Sequence, residues 1–211
     1  MYILLHMHSI PRLALTHGQV AWALCAGQPP DKVTLDRLRY LRQLNVPFAQ
    51  DEAGGGRGNR LTYRFDHLIE CAIAVWSLRR GTKPRAAAEF LIAERTGLRK
   101  FFREHFKAMP DAALTAEWVK SRGRIVPTMV DEIYLRLHAR SGETGTLKAM
   151  TLDEVLMFKA AIGDQVEQYG NEIQALVPLR RVMLEAVAWA LIAPVTPPGR
   201  VPRRKEFEVT L

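Results

Sequence analysis

Residues 32–44 read KVTLDRLRYLRQL, and residues 54–65 read GGGRGNRLTYRF. The first stretch predicts a helix over residues 35–44 with Thr34 as its N-cap. Its apolar face is formed by four leucines at i, i+3 spacing, namely Leu35, Leu38, Leu41 and Leu44. The second stretch holds too many glycines for a helix, and its alternating end, residues 60–65, predicts a short strand. A helix followed by a glycine-rich hairpin is therefore expected here.

Further helices are predicted on both sides of these two stretches. Residues 18–24 predict a short apolar helix that ends at the breaker GQPP, residues 27–30. A long helix over residues 66–78 is closed by two arginines and a glycine at residues 79–81. Another helix follows at residues 85–94. The predicted order is helix, turn, helix, glycine-rich hairpin, long helix and short helix.

This order resembles the DNA-binding domain of MerR-family transcription regulators. The resemblance covers about residues 16–92 and is carried by Leu38-Arg39-Tyr40-Leu41, by Arg57, Asn59, Arg60 and Tyr63, and by residues 80–84 with the short helix after them. It implies a winged helix-turn-helix fold, in which the second helix enters the major groove and the hairpin is the wing. The loop at residues 27–33 is longer than in the family, and the wing has one extra residue.

The resemblance and the side-chain chemistry together predict the DNA contacts. By resemblance, Arg39 and Tyr40 position phosphates, whereas Arg37, with Lys32 and Thr34 nearby, is the candidate for base edges. The other predicted DNA-binding residues are Arg42, Arg57, Asn59, Arg60 and Tyr63. Two alternatives stay open, namely Tyr40 as a core aromatic beneath the wing and Arg42 as a solvated helix cation.

Charge is concentrated in the same part of the chain. The 211 residues carry 30 Lys and Arg against 22 Asp and Glu, a net charge of +8. Residues 32–107 hold 16 of these cations and 8 of these carboxylates, so they account for the whole excess. A localised excess is typical of a polyanion-binding module. A solvated basic face without a partner would give the same arithmetic.

Other chemistry finds little support in the residues. The glycine-rich loop lacks the Gly-Lys-Ser/Thr of a P-loop, so we do not expect nucleotide binding there. Cys25 and Cys71 are predicted to be free buried thiols, and the chain has no cysteine cluster of the kind that a metal sensor uses. Asp66 is predicted to cap the long helix, with His67 in its first turn rather than in a catalytic dyad. We predict no enzyme, cofactor or metal site.

Residues 95–193 predict an all-helical domain for dimerisation or effector binding. It begins with the apolar stripe Leu98, Phe101, Phe102 and Phe106, which by resemblance opens the dimer-forming helix. Further helices are predicted at residues 118–119, 130–137, 151–174 and 179–192. Five aromatic residues are candidates either for an effector cavity or for the core: Trp118, Tyr134, Phe158, Tyr169 and Trp189.

The expected fold is mainly α, a winged helix-turn-helix with a small β-hairpin wing followed by an all-helical C-terminal domain. The predicted units are an N-terminal extension (1–15), the DNA-binding domain (16–94), the helical domain (95–193) and a proline-rich tail (194–211).

The predicted function is a sequence-specific DNA-binding transcription regulator that binds double-stranded DNA as a homodimer. Its helical domain is expected either to bind a small-molecule or protein effector or to serve only dimerisation or protein contact. The alternative is a helical protein-interaction or mobile-element accessory factor with a winged-helix fold that does not bind DNA specifically. No apolar run reaches the about 18 residues that a membrane span needs. A signal peptide requires a cation before its apolar stretch, and here no Lys or Arg precedes Arg12. We therefore expect a cytoplasmic protein without membrane contacts.

Overall fold

The structure is a computed structural model that describes residues 9–50, 52, 61–107, 109, 116–117, 120, 132–138, 148–151, 153–154 and 174–194. Within these residues the protein is mainly helical and contains a small antiparallel sheet. Its helices are α1 (His17–Leu24), α2 (Lys32–Gln43), α3 (Phe65–Arg79), α4 (Pro84–Ala93), α5 (Arg95–Lys107) and α6 (Leu179–Leu191). Its strands are β1 (Tyr134–His138), β2 (Lys148–Met150) and β3 (Gln174–Pro178).

Side-chain caps fix the starts of the first two helices. Thr16 and Gln19 cap α1 reciprocally, because each side chain accepts the other residue's backbone N–H, at 3.2 and 2.9 Å. Asp31 caps α2, since its carboxylate accepts the Thr34 N–H at 2.6 Å. The prediction of Thr34 as the N-cap is therefore wrong. The carboxylate three positions earlier reaches the free N–H groups and lets α2 begin at Lys32.

The chain turns back sharply after α2. Asn45 has a positive φ of 60°, and the Val46–Pro47 peptide bond is cis. The Val46 N–H donates to the Leu41 carbonyl at 2.9 Å, so the turn stays bonded to the helix it leaves. Pro47 thus lies beyond the end of α2. The next residue, Phe48, is buried in the core.

The strand predicted over residues 60–65 is shorter than expected. Tyr63 and Leu15 exchange two backbone hydrogen bonds of 2.9 Å and form an isolated antiparallel bridge. Phe65 already begins α3, whose N-cap is Arg64, so Asp66 lies inside the helix instead of capping it. The glycine-rich tip of the predicted wing, residues 54–58, lies outside the described residues.

Helix α3 is the centre of the core. Thirteen of its 15 residues are buried, as expected for a helix with apolar side chains on nearly every face. Helices α1, α2, α4, α5 and α6 all contact it. The buried face of α5 consists of Leu98, Phe102 and Phe106, and Phe106 packs edge-on against Phe65 at 4.9 Å. The predicted apolar stripe of α5 is thus confirmed, with Phe101 only partly buried.

The last described helix packs beside the first. Helix α6 contacts α1 and α3, and the Trp189 and Trp22 rings meet edge to face at 5.5 Å. The predicted helix over residues 179–192 is confirmed within one residue. Glu132 caps it from a distance, because its carboxylate accepts the N–H groups of Arg180 and Arg181 at 2.9 and 3.3 Å. One core therefore runs from Leu15 to Ala190, across the predicted boundary at residues 94 and 95.

The expectation of an all-helical C-terminal part is wrong. The strands form a sheet of order β2-β1-β3, in which Leu135 lies opposite both Ala149 and Val177. The helix predicted at residues 130–137 thus overlaps β1. The helix predicted at residues 151–174 ends at Gln174, which is the first residue of β3. A short apolar run gives no reliable period, and these strands pair with partners far along the chain.

Two other predicted helices are only partly described. Residues 118–119 and 155–173 lie outside the described residues. Residues 153–154 are helical, and Thr151 and Glu154 cap each other, with the Thr151 N–H donating to the Glu154 carboxylate at 2.8 Å. This agrees with the predicted helix start at Thr151. No helix in the described part of the chain has the length and apolarity to cross a bilayer.

Gly27, in the turn between α1 and α2, lies against α6. It has a φ of +75°, and a Cβ at this position would lie 2.2 Å from the Trp189 ring. We expect Gly27→Ala to lower the free energy of unfolding by about 2 kcal/mol, through strain and overpacking. Urea denaturation measures this.

The matched control is Gly97→Ala in α5, where nothing lies within 4 Å of a new Cβ. Alanine there should stabilise by about 0.5–1 kcal/mol, because Gly97 is helical. Equal effects of the two substitutions would contradict the assigned packing.

Candidate nucleic-acid interface

The exposed face of α2 carries most of the predicted contacts. Lys32, Arg39 and Tyr40 are exposed, while Thr34, Leu38 and Leu41 are buried beneath them. Tyr40 keeps 46% of its surface exposed, which contradicts the alternative of a core aromatic. By helical geometry the half-buried Arg37 and the exposed Arg42 flank this face on opposite sides.

The cations of this face are largely free to meet a ligand. Arg39 pairs with Asp36 at 3.1 Å, but the two side chains are 65% and 51% exposed. An ion pair at such exposure contributes little to stability and is easily exchanged for a phosphate. The helix carries four cations against the single carboxylate of Asp36. Its exposed face therefore remains positively charged.

Two predicted DNA contacts are buried and cannot reach DNA in this structure. Thr34 is 1% exposed and lies on the core side of α2. Tyr63 is 2% exposed, and its ring packs against Phe48 at 4.8 Å. Its hydroxyl lies 3.0 Å from His17 Nδ1, and burial raises its pKa. Both residues stabilise the helices behind the interface.

Three predicted wing contacts, Arg57, Asn59 and Arg60, lie outside the described residues. Of the predicted strand of the wing, the structure describes residues 61–65, where Tyr63 is bridged to Leu15. The predicted contacts thus divide into an exposed group on α2, two buried supports and a wing group whose assignment stays a prediction.

A buried ion-pair cluster supports the base of the interface. Glu70 of α3 is fully buried and accepts from Arg95 at 3.3 Å and from Arg99 at 2.7 Å, both on α5. Arg99 also donates to Glu52 at 2.8 and 3.0 Å and to the Pro47 carbonyl at 3.1 Å. Helices α3 and α5 are thereby joined to the segment that follows α2.

The same arginines bind the turn after α2. Arg95 donates to the backbone carbonyl of Asn45, the residue with the positive φ. One residue type thus satisfies a buried carboxylate and two backbone carbonyls at once, as the branched guanidinium allows. The position of α2 relative to α5 depends on these bonds.

Burial and pairing shift the pKa values of this cluster in opposite directions. The hydrogen bond from Arg99 lowers the pKa of Glu52 to about 2. Burial raises the pKa of Glu70, against the opposing effect of Arg99 and Arg95. Burial also lowers the pKa of His67, although Glu52, 3.6 Å from its Nε2, raises it in part. His67 Nδ1 accepts the Arg64 N–H at 3.2 Å, so the imidazole is a structural acceptor.

The sequence analysis did not predict this cluster, which reduces the number of cations in residues 32–107 that are available to a ligand. Arg95 and Arg99, together with Arg103, which pairs with Asp66, belong to the 16 cations of residues 32–107. These three are tied to carboxylates inside the protein. A charged residue such as Glu70 within an apolar helix is the signal that could have indicated them, because a buried carboxylate needs a cationic partner.

Of the five predicted effector aromatics, the structure describes Tyr134 and Trp189. Trp189 packs against Trp22 in the core, Tyr134 is half-buried in β1, and Trp118, Phe158 and Tyr169 lie outside the described residues. Cys71 is buried and Cys25 half-buried, and both are free thiols. Across the described ranges, no three His, Cys, Asp or Glu side chains are grouped as a metal would require.

Comparison with known protein families, with curated proteins and with solved structures finds no match for this chain.

Removal of the buried carboxylate should weaken the fold strongly. We expect Glu70→Gln to lower the free energy of unfolding by about 3 kcal/mol, because two guanidinium groups lose their buried counter-charge. Denaturation in urea provides the measurement. Glu104→Gln is the control, since Glu104 is 60% exposed and its contact with Lys100 is 4.0 Å long. That change should stay within about 0.5 kcal/mol, and a similar loss in both variants would contradict the cluster's role.

Stability should also depend on buried histidine. Because burial lowers the pKa of His67, its contribution to stability is full above its unfolded pKa of about 6.5 and is lost as the pH falls through the lower folded pKa. The urea midpoint of the wild-type chain should therefore fall when the pH drops below about 6.5.

His67→Asn keeps an acceptor for the Arg64 N–H but cannot titrate. Its urea midpoint should fall less over the same pH interval, and the difference from wild type isolates the histidine from the carboxylates. His17, whose pKa burial also lowers, is present in both proteins and cancels. Identical pH profiles would show that the pKa of His67 is the same in the folded and the unfolded protein, which contradicts the prediction.

Proposed function

We propose that this chain is a sequence-specific DNA-binding transcription regulator, in which α2 is the recognition helix of a winged helix-turn-helix. The supporting observation is the exposed face of α2, where Lys32, Arg39 and Tyr40 stand over a buried apolar face. Arginine and lysine donate to guanine edges and to phosphates, and tyrosine donates its hydroxyl to phosphate.

The dimensions of α2 suit this role. Its 12 residues give a length of about 18 Å, and a helix with side chains is about 10–12 Å across. The major groove is about 12 Å wide, so one such helix fits it. Helix α1 lies behind α2, and both pack on α3, so the cationic face points away from the core. In the proposed complex, Arg37 and Arg42 contact the groove walls.

The predicted wing would extend the contact to the neighbouring backbone. Arg57, Asn59 and Arg60 follow the glycines of residues 54–58, which allow close approach to DNA. The bridge between Leu15 and Tyr63 gives the wing a fixed base. In the proposal the chain acts as a homodimer that binds two half-sites about one helical turn apart.

A second candidate is a protein-interaction module with the same helices. Val33 and Tyr40, 54% and 46% exposed, lie two turns apart on the same outer face of α2. Exposed apolar side chains of this kind are typical of protein contacts. The experiment below separates the two candidates, because a protein-interaction surface would enrich no DNA sequence.

The test uses the full chain to select duplexes from a random library and measures binding of the enriched sequence. Lys32→Gln with Arg39→Gln should weaken that binding about tenfold or more, since both cations face the groove. The control is Lys120→Gln with Arg181→Gln, two exposed cations that do not belong to α2. It removes the same charge and should retain nearly full affinity. The proposal fails if no sequence is enriched, or if the α2 variant binds as well as the control.

A further inference from the structure

Helix α5 carries three kinds of side chain on three faces. Leu98, Phe102 and Phe106 enter the core, and Arg95 and Arg99 border it in the buried ion-pair cluster. Lys100, Arg103 and Lys107 recur at i, i+3, i+7 on the outer face and are exposed. Arg95 and Arg99 hold the helix in place and Arg103 pairs with Asp66, so Lys100 and Lys107 are left for solvent or a ligand.

The outer face forms one side of an open cleft of about 670 Å³. Ala49 and Glu52, from the segment between α2 and the predicted wing, form the opposite side. Five cations line the cleft, namely Arg95, Arg99, Lys100, Arg103 and Lys107. The lining residues carry only two carboxylates, Glu52 and Glu104.

A second cleft of about 400 Å³ continues the surface on the other side of Arg103. It is lined by residues 10–13 and by Arg64, Phe65 and Asp66 at the start of α3. Arg12 and Arg64 add two cations. Because Arg103 lines both clefts, they form one continuous surface, which we call the α5 surface.

The α5 surface keeps a net positive charge after its internal ion pairs are counted, because it is lined by seven cations and three carboxylates. Its carboxylates are engaged, since Asp66 pairs with Arg103 and Glu52 pairs with Arg99. Among the described residues, no carboxylate pairs with Arg12, Arg64 or Lys107. The Lys100–Glu104 contact is 4.0 Å long, and its side chains are 80% and 60% exposed, so it contributes little.

We propose that the α5 surface binds the phosphate backbone of double-stranded DNA, without reading its sequence. Lys100 and Lys107 are seven residues apart, about 10 Å along the helix. Measured along the axis of a duplex, that distance contains about three phosphates of one strand, at about 3.4 Å of axial rise each. A strand that follows the outer face of α5 therefore meets successive cations, and Arg12 and Arg64 continue the path beyond Arg103.

The surface suits phosphates better than a membrane or an apolar partner. In the described part of the chain, the large exposed apolar side chains are Val33, Tyr40, Ile92 and Leu191, and none of them lies on α5. The clefts are open, so a polymer can lie across them. This contact is separate from the exposed face of α2 and does not depend on base recognition there.

The test measures the affinity of the full chain for a labelled duplex of arbitrary sequence at several salt concentrations. Lys100→Gln with Lys107→Gln should lower the affinity about threefold to tenfold. It should also reduce the slope of log affinity against log salt by about 1 to 2, since each lost phosphate contact releases fewer counterions. Lys100→Arg with Lys107→Arg keeps the charge and should bind as wild type. The control Lys120→Gln with Arg181→Gln should leave affinity and slope unchanged.

Two further measurements identify the ligand and distinguish binding at the α5 surface from binding at α2. Polyglutamate and anionic lipid vesicles compete with the duplex, and either one binding more tightly than DNA would overturn the assignment to nucleic acid. Equal affinity and slope in the Gln variant and in wild type would also overturn it. The variant with Lys32→Gln and Arg39→Gln, measured on a selected sequence, reports on α2 alone. Loss of arbitrary-sequence binding in the α5 variant supports the α5 surface even if the α2 variant binds normally.

Discussion

The fully buried carboxylate of Glu70 is the constraint on which the arrangement of helices depends. A charge without water must be paired, and here the partners come from another helix, because Arg95 and Arg99 both donate to it. The same arginines also bind groups outside the core, since Arg95 donates to a carbonyl in the turn after α2 and Arg99 donates to Glu52. One buried charge thereby sets the relative positions of α2, α3 and α5.

Helices with clear local signals could be predicted from the sequence. The breaker after Leu24, the leucine spacing of α2 and the apolar run of α6 each act within one turn or one helix, so these elements were found within a few residues. The cap of α2 was missed because Asp31 and Thr34 both fit a cap, and only geometry decides between them. The sheet was missed because Leu135 and Val177 lie 42 positions apart and their pairing leaves no local period.

The candidate interface was predictable in part for the same reason. The spacing of the leucines left Arg39 outside the apolar face, where the structure has it, whereas Tyr40 could be assigned to the core or to the exposed face until the structure showed it exposed. Tyr63 has the residue type of a phosphate contact, yet its ring fills the core beside Phe48. The charge count likewise could not distinguish cations that are paired inside the protein from cations that are free at its surface. It treats Arg99 and Lys107 alike, although one is bound to two carboxylates and the other faces an open cleft.

The contact of α6 with α1 has a consequence for how the chain acquires its structure. Trp22 and Gly27 pack against Trp189, more than 160 positions later. During synthesis the ribosome releases the N-terminal segment first, so the part of α1 that packs on α6 stays uncovered until the end of the described chain emerges. Folding then requires closure of a very long loop, which makes native contacts slow to form. In the meantime the exposed apolar surface is a target for chaperones.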